Sequence, residues 1–375
     1  MKPIIFPILL LFPFLISAND ARIVAVADVH GALDQFVSIL QSAKILDQSQ
    51  NWSGEKTIFV QTGDVLDRGI QGRQVLDLLM KLENQASRSG GKVYPLLGNH
   101  EVMVMMGDLR YVSAEEYGNF AGKDSQKLQK KAFEETKNFL IRKAEKRKQP
   151  LPQFTPEMEV EWMKNHPMGF VEHREAFGPL GHYGKWLRKR IAVLDLNHNV
   201  FLHGGLSPKV VSFKIEEINN TIRREIELFD RYKKTMLEQK LILPFFKLEE
   251  MIIAAREELE IRQKDETLEA FLGLSNWLSI NPDGPLWFRG YANWTDEEMA
   301  TAIPEILETY KARRFIVGHS VQPKGNIRAR SNVQVLLIDT GMNAAFFEEG
   351  RASALEVLGD RMTAIYGDEM IVLNP

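Results

Sequence analysis

An α/β fold is predicted by three features of this chain. Short apolar runs end abruptly in polar residues, amphipathic stretches at helical spacing separate several of them, and the polar residues at their ends stand beside glycine. In folds built this way, sites gather beyond the carboxyl ends of the strands.

The first run, Ala21 to Ala27, stops at Asp28 and reads as a buried strand. The pattern returns at Thr57 to Gln61 before Gly63-Asp64, and at Lys92 to Leu97 before Gly98-Asn99. It returns again at Asn199 to Leu202 before His203, and at Arg314 to Val317 before Gly318-His319. Leu33 to Leu46 and Arg73 to Leu82 carry apolar residues at helical spacing. Two long polar insertions, about 108–190 and 209–280, interrupt the alternation. Their charged stretches Lys123 to Lys148 and Ile215 to Lys264 predict helices that cover or flank the site. The tail from Val333 to Leu373 alternates apolar runs with glycine turns and predicts a closing set of strands.

Residues 1–18 stand apart. Lys2 precedes an apolar run from Ile4 to Ile16 that ends in Ser17 and Ala18, the grammar of a signal peptide. The run contains Pro7 and Pro13 and falls short of the roughly 20 residues that span a bilayer. Export across an inner membrane to the periplasm, without a stable membrane anchor, is the expectation, leaving 19–375 as one domain with its helical insertions. The 47 basic and 50 acidic side chains nearly cancel, so no broad field marks a nucleic-acid binder. The absence of cysteine excludes disulfides, thiolate metal sites and a cysteine nucleophile.

The chemistry therefore rests on oxygen and nitrogen donors. Asp28 and His30, two residues apart at a strand end, can reach one metal ion. Asp64 follows the second run inside Gly63-Asp64-Val65-Leu66-Asp67-Arg68-Gly69, where one carboxylate can bridge two cations and a guanidinium can hold phosphate. Asn99-His100-Glu101 follows the third run, and His203 and His319 follow the fourth and fifth. Asp, Asn and His suit hard or borderline divalent cations. His166, His173, His182 and His198 have no comparable partners and read as core or turn residues.

These motifs resemble those of the calcineurin-like metallophosphoesterases: Asp28-x-His30-Gly31, Gly63-Asp64-x-x-Asp67-Arg68-Gly69, Gly98-Asn99-His100-Glu101, His203-Gly204-Gly205 and Gly318-His319. The Arg68-Gly69 and Glu101 positions resemble the phosphoprotein phosphatase branch. Leu206-Ser207-Pro208 and Ile338-Asp339-Thr340-Gly341-Met342 make the chain look most similar to its Shewanella-like bacterial group. The resemblance implies a four-layer β-sandwich flanked by helices. It implies one cation on Asp28, His30 and Asp64 and a second on Asp64, Asn99, His203 and His319, with manganese expected and iron or zinc as alternatives. It further implies a metal-bridging hydroxide attacking in line, His100 as proton donor to the leaving group, Asp67 as its orienting partner and Arg68 as a phosphate clamp.

The chain also departs from that pattern. Ala27 replaces the usual glycine before the first aspartate, and Leu97 stands where the eukaryotic enzymes carry arginine. Arg289 is the candidate for a second phosphate arginine, with Arg174 behind it. The expected activity is hydrolysis of phosphomonoesters, on phosphotyrosine or phosphoserine and phosphothreonine proteins or on small phosphoesters, by a monomer. A nucleotide or dinucleoside-polyphosphate hydrolase, and a non-catalytic binder of the same fold, are the rival readings.

Overall fold

A computed structural model describes residues 21–373, and in it the apolar runs become strands. Ile23–Val26 (β1), Leu33–Ser42 (α1), Ile58–Gln61 (β2), Gly72–Arg88 (α2), Lys92–Pro95 (β3) and Asn99–Met106 (α3) open the domain. The first insertion folds as Ala114–Gly118 (α4), Ser125–Lys146 (α5), Pro156–Asn165 (α6), Phe170–Ala176 (α7) and His182–Leu187 (α8). Val193–Leu196 (β4) and Asn199–Leu202 (β5) follow, then Ile215–Glu238 (α9), Leu248–Arg262 (α10) and Glu266–Leu272 (α11). Gly290–Asn293 (α12), Asp296–Tyr310 (α13), Arg314–Val317 (β6), Arg328–Arg330 (β7) and Val335–Leu337 (β8) lead to the tail. Ala354–Leu358 (β9), Arg361–Tyr366 (β10) and Glu369–Val372 (β11) complete it.

The strands form two mixed sheets, ordered β11-β10-β9-β1-β2-β3 and β4-β5-β6-β8-β7. Alternation of side chains along each strand divides the apolar residues between two cores. Ile23, Ala25, Val60, Phe201, Ile316, Leu336, Leu355 and Met362 point inward and join the sheets in one cluster. Val24, Val26, Phe59, Val200, Leu202 and Phe315 point outward into the helical layers, where Phe36 and Ile39 of α1, Leu76 and Leu79 of α2, and Ile218 and Ile222 of α9 meet them. The result is the expected four-layer order, helix, sheet, sheet, helix. Its strands β1, β2 and β3 are parallel, as are β5, β6 and β8, so their carboxyl ends share one edge of the sandwich.

Several boundaries differ from the sequence reading. α1 ends at Ser42 rather than near Leu46, because Lys44 turns into the left-handed region at φ 55°. The stretch Ile215 to Lys264 divides into α9 and α10 between Glu238 and Leu248, where Lys240 at φ 57° turns the chain. β4 was not foreseen. It pairs antiparallel with β5 through Asn197 and His198, both at positive φ (52° and 65°), the geometry of a tight hairpin turn. Among the described residues no helix is long and apolar enough to cross a membrane; the expected leader, 1–18, lies outside them.

Candidate metal centre

Five residues at the strand ends hold left-handed backbone although none is glycine: His30 (φ 46°), Asp64 (φ 58°), Asp67 (φ 68°), Arg68 (φ 65°) and His319 (φ 67°). Such conformations persist only where the surroundings over-determine them, and they cluster at functional sites. At Asp64 the determinant is Glu101, whose carboxylate accepts the backbone N–H groups of Asp64 (2.8 Å), Val65 (2.9 Å) and Gly98 (2.8 Å). Val29 and His30 in turn donate to the Asp64 carbonyl at 2.9 and 3.0 Å. The loops also approach closely. A Cβ at Gly98 would collide with Asp64 Oδ1, and one at Gly318 with Asp28 Oδ1.

The side chains then converge. Asp64 Oδ2 lies 3.1 Å from His203 Nε2 and 3.8 Å from both His30 Nε2 and His100 Nε2. His30 Nε2 is 3.9 Å from Asp28 Oδ2, and His203 Nε2 is 2.9 Å from Asn99 Oδ1 and 3.0 Å from His319 Nδ1. All six donors expected from the motifs are buried. Two groups are compact enough to hold an ion each, His30, Asp64 and His100 on one side and Asp64, His203 and His319 on the other, with Asp64 common to both.

The outward nitrogens decide how the rings are aimed. His30 Nδ1 donates to the Leu66 carbonyl (2.8 Å), His203 Nδ1 to the Thr62 carbonyl (3.1 Å) and His319 Nε2 to the Trp287 carbonyl (3.0 Å). Each ring therefore turns its other nitrogen to the centre, as ligating histidines do. His30 Nε2 is buried there without a hydrogen-bond partner, the signature of a position that needs a cation. The donor set fits divalent metal: carboxylate, amide and imidazole together suit manganese, iron and zinc alike.

The electrostatics follow from burial and crowding. Burial pushes Asp64 up, but His203, His100 and His30 outweigh it and hold the carboxylate well below its usual range. Burial works against charge on His203 too, and Asp64 and Asp28 overcome it, lifting the ring to about 9. His30 lacks enough compensation, and burial lowers it to about 3. Asp28 is raised, chiefly by burial.

His100 differs from the others. Its Nδ1 lies 2.6 Å from Asp67 Oδ2, and its ring sits 5.1 Å from that of Tyr111. Burial opposes its charge, yet Asp64 and Asp67 outweigh burial and raise its pKa above the ordinary histidine value. The charged form of the imidazole is thus favoured beside the shared carboxylate.

Both candidate arginines reach the centre. The Arg68 guanidinium lies between the Tyr111 and Phe347 rings, 5.8 and 5.7 Å from their centroids, close enough to depress His30 and to work against charge on His100. Arg289 Nη1 donates to the His319 carbonyl at 2.6 Å and to Ser320 Oγ at 3.1 Å, and its charge contributes to lowering His319. Arg174 does not join them. It packs against Gly107 and donates to the Val104 carbonyl at the far end of α3 (3.1 Å), so its place as an alternative to Arg289 is corrected. His166 and His173 are buried among aromatic rings, His198 occupies the hairpin turn and His182 is exposed.

Some contributors had no visible signal of role. Glu101 and Asp339 stand within the quoted motifs, but nothing in the motifs says what they touch. Asp339 is buried, its carboxyl raised well above normal first by burial and then by Asp28. Asn343, whose Nδ2 donates to the His30 carbonyl at 2.9 Å, and Tyr111 lie in loops that no pattern marked.

Two parallel strand sets feeding one bed of carboxylates and imidazoles define a metallophosphoesterase. The model of the calcineurin-like phosphoesterases matches residues 21–323, and the chain belongs to that family. More particularly, it is similar to Shewanella-like protein phosphatase 2 of Arabidopsis thaliana, 28% identical over 369 residues that cover 94% of this chain and 78% of the relative. Shewanella-like protein phosphatase 1 of Plasmodium berghei is 24% identical over 327 residues, covering 86% and 68% respectively. Among solved structures, the cold-active protein-tyrosine phosphatase of a psychrophilic Shewanella species superposes with a TM-score of 0.61 at 23% identity, over 95% of this chain and 81% of that one; the two share the fold. The resemblance expected from the motifs is met.

Proposed function

We propose that this chain is a divalent-metal phosphomonoesterase acting on phosphoproteins, at phosphotyrosine or at phosphoserine and phosphothreonine. The observation that carries the proposal is the shared Asp64 carboxylate, 3.1–3.8 Å from three imidazole nitrogens, one of them that of His100, whose ring is held by Asp67 at 2.6 Å. The names of the Arabidopsis and Plasmodium relatives and of the Shewanella structure support the phosphoprotein reading. In this reading Asp28, His30 and Asp64 hold one ion, and Asp64, Asn99, His203 and His319 hold the other, with manganese the first choice. When bound, paired divalent cations neutralise phosphoryl charge and acidify water toward neutral pH.

The chain's own residues do the rest. Arg68, braced by Tyr111 and Phe347, and Arg289, braced by the His319 carbonyl, orient the phosphoryl oxygens by fork-like hydrogen bonds. A water oxygen bonds to phosphorus as the ester P–O bond breaks, giving inorganic phosphate, and the leaving oxygen takes the electron pair of the broken bond. His100 Nε2 delivers a proton to it and becomes neutral, while Asp67 keeps the ring aligned through Nδ1. The apolar run at residues 4–16 supports export, so the proposed place of action is the periplasm.

The test is turnover by purified, metal-quantified protein reconstituted with manganese. It should hydrolyse p-nitrophenyl phosphate, and phosphotyrosine or phosphothreonine peptides faster than nucleotides. Preference for nucleotides or dinucleoside polyphosphates would replace the phosphoprotein reading. No hydrolysis with manganese, iron or zinc would leave a metal-binding protein and end the enzymatic one.

A further inference from the structure

The two helical insertions meet around a second cavity whose chemistry is unlike that of the metal centre. α5, α7 and α9 wall a space of about 750 Å³, within the roughly 300–1,000 Å³ typical of small-molecule sites. None of the metal-centre residues lines it. Leu128 of α5, Val171 of α7, Leu237 of α9 and Phe245 beyond it make much of the wall apolar.

Two basic side chains, Arg174 and Lys233, stand in that wall, and among the described residues neither is within ion-pairing distance of a carboxylate. Arg174 is only 5% exposed, spends one N–H group on the Val104 carbonyl, and has a buried Nε with no partner. Lys233, which lines the same cavity, is lowered to about 7 by burial and then by the charge of Arg174. The carboxylates nearby are committed or solvated: Glu250, whose charge favours that of Arg174, accepts the Lys247 backbone N–H at 2.7 Å. Asp230 forms two bonds to Arg188, at 2.7 and 2.9 Å, Glu135 pairs with Lys131 at 3.7 Å, and Glu175 is exposed. Buried like charges beside an apolar surface are unfavourable unless something compensates them.

We propose that this cavity binds a small amphiphilic anion, its aliphatic body against Leu128, Val171, Leu237 and Phe245 and its carboxylate or phosphate head on Arg174 and Lys233. Burial of the aliphatic body drives association, and the head converts two mutually repelling cations into partners of charge-assisted hydrogen bonds. Both halves are needed. An alkane alcohol would leave the cations unpaired, and a short anion would leave the apolar wall empty.

Calorimetry on the full chain with decanoate, decyl phosphate and decanol, each below its micellar concentration, tests this without any turnover. One molecule of at least one anion should bind per chain, and decanol at least about tenfold more weakly, the scale of one lost charge-assisted bond. Lys233→Met keeps the aliphatic stem and should weaken the anion about tenfold. Leu237→Trp fills the cavity and should remove binding, with circular dichroism establishing that each variant is folded. Tighter binding of decyl phosphate would assign a phosphate head, and tighter binding of decanoate a carboxylate. Absence of saturable binding by either anion, equal affinity for decanol, or undiminished affinity in folded Lys233→Met would overturn the proposal.

Discussion

Histidine is buried in two regions of this molecule to opposite ends. In the metal centre His30, His203 and His319 each give one nitrogen to a backbone carbonyl and turn the other toward carboxylates. In the first insertion His166 stacks on Trp162 with centroids 4.1 Å apart and planes 12° apart, while His173 lies edge-on to Tyr117 and Phe120 at 5.1 and 4.9 Å. Burial opposes charge in both places. It lowers His166 to about 4 and His173 well below normal, and nothing anionic answers it. At His203 and His100 the carboxylates answer, and both rings are raised. Burial of a titratable ring is thus an aromatic packing device in one region and a cation seat in the other; what the rings face, aromatic neighbours or convergent carboxylate and imidazole donors, decides which, for His30 is lowered as His166 is and still belongs to the centre.

The largest effect should come from the residue shared by both halves of the centre. Asp64→Asn should cut turnover on the order of 10⁴-fold, combining lost charge stabilisation with lost positioning. Metal analysis of the same variant should show fewer than two ions per chain. Full activity with two ions retained would mean that the shared carboxylate is dispensable and the contrast with the insertion is wrong.

His100→Asn is next. It should leave metal content intact while slowing alkyl phosphates roughly 10²–10⁴-fold, with a smaller loss on p-nitrophenyl phosphate, whose leaving group needs less protonation. An equal loss on both esters would remove His100 from proton delivery. Arg289→Ala should then raise KM about tenfold or more, the scale of one charge-assisted hydrogen bond to phosphate. An unchanged KM would return Arg289 to bracing the His319 carbonyl alone.

The smallest effect sharpens the other side of the comparison. The folded pKa of His166 is lowered from about 6.5 to about 4, so the unfolded chain takes up a proton first as pH falls. Stability contributed by the neutral ring is full above pH 6.5 and is lost on acidification toward 4. Between pH 7 and 5 this costs about 2 kcal/mol, roughly 3 °C in Tm for a chain of this size. His166→Phe preserves the stack on Trp162, and its Tm should fall about 3 °C less than wild type over that interval. Identical pH profiles would show that the ring is not held neutral by burial.

Much of the centre was legible before folding because its chemistry is local. Each ligand closes a short apolar run beside a glycine, so strand, turn and donor appear together in a few residues, as in Gly98-Asn99-His100 or Gly318-His319. What supports them was not legible. Glu101 reaches the Asp64 backbone across 37 positions, and Asn343 reaches the His30 carbonyl across 313. Such hydrogen bonds depend on where loops meet, and residue type alone does not say that. Arg174 shows the same limit from the other side: a guanidinium in a charged insertion suited phosphate by type, and packing carried it to a different cavity.

By itself, then, the order of residues determined the strand and helix alternation, the two-sheet architecture through the family motifs, and the identity of the donors. Period-two and helical spacing, together with donor chemistry, are properties of neighbours along the chain. Tertiary structure alone decided which nitrogen of each ring faces the centre, that Tyr111 and Phe347 brace Arg68, and that the insertions enclose a cavity lined by Arg174 and Lys233. Those outcomes rest on distances and desolvation among residues far apart in sequence, quantities that exist only once the chain has closed on itself.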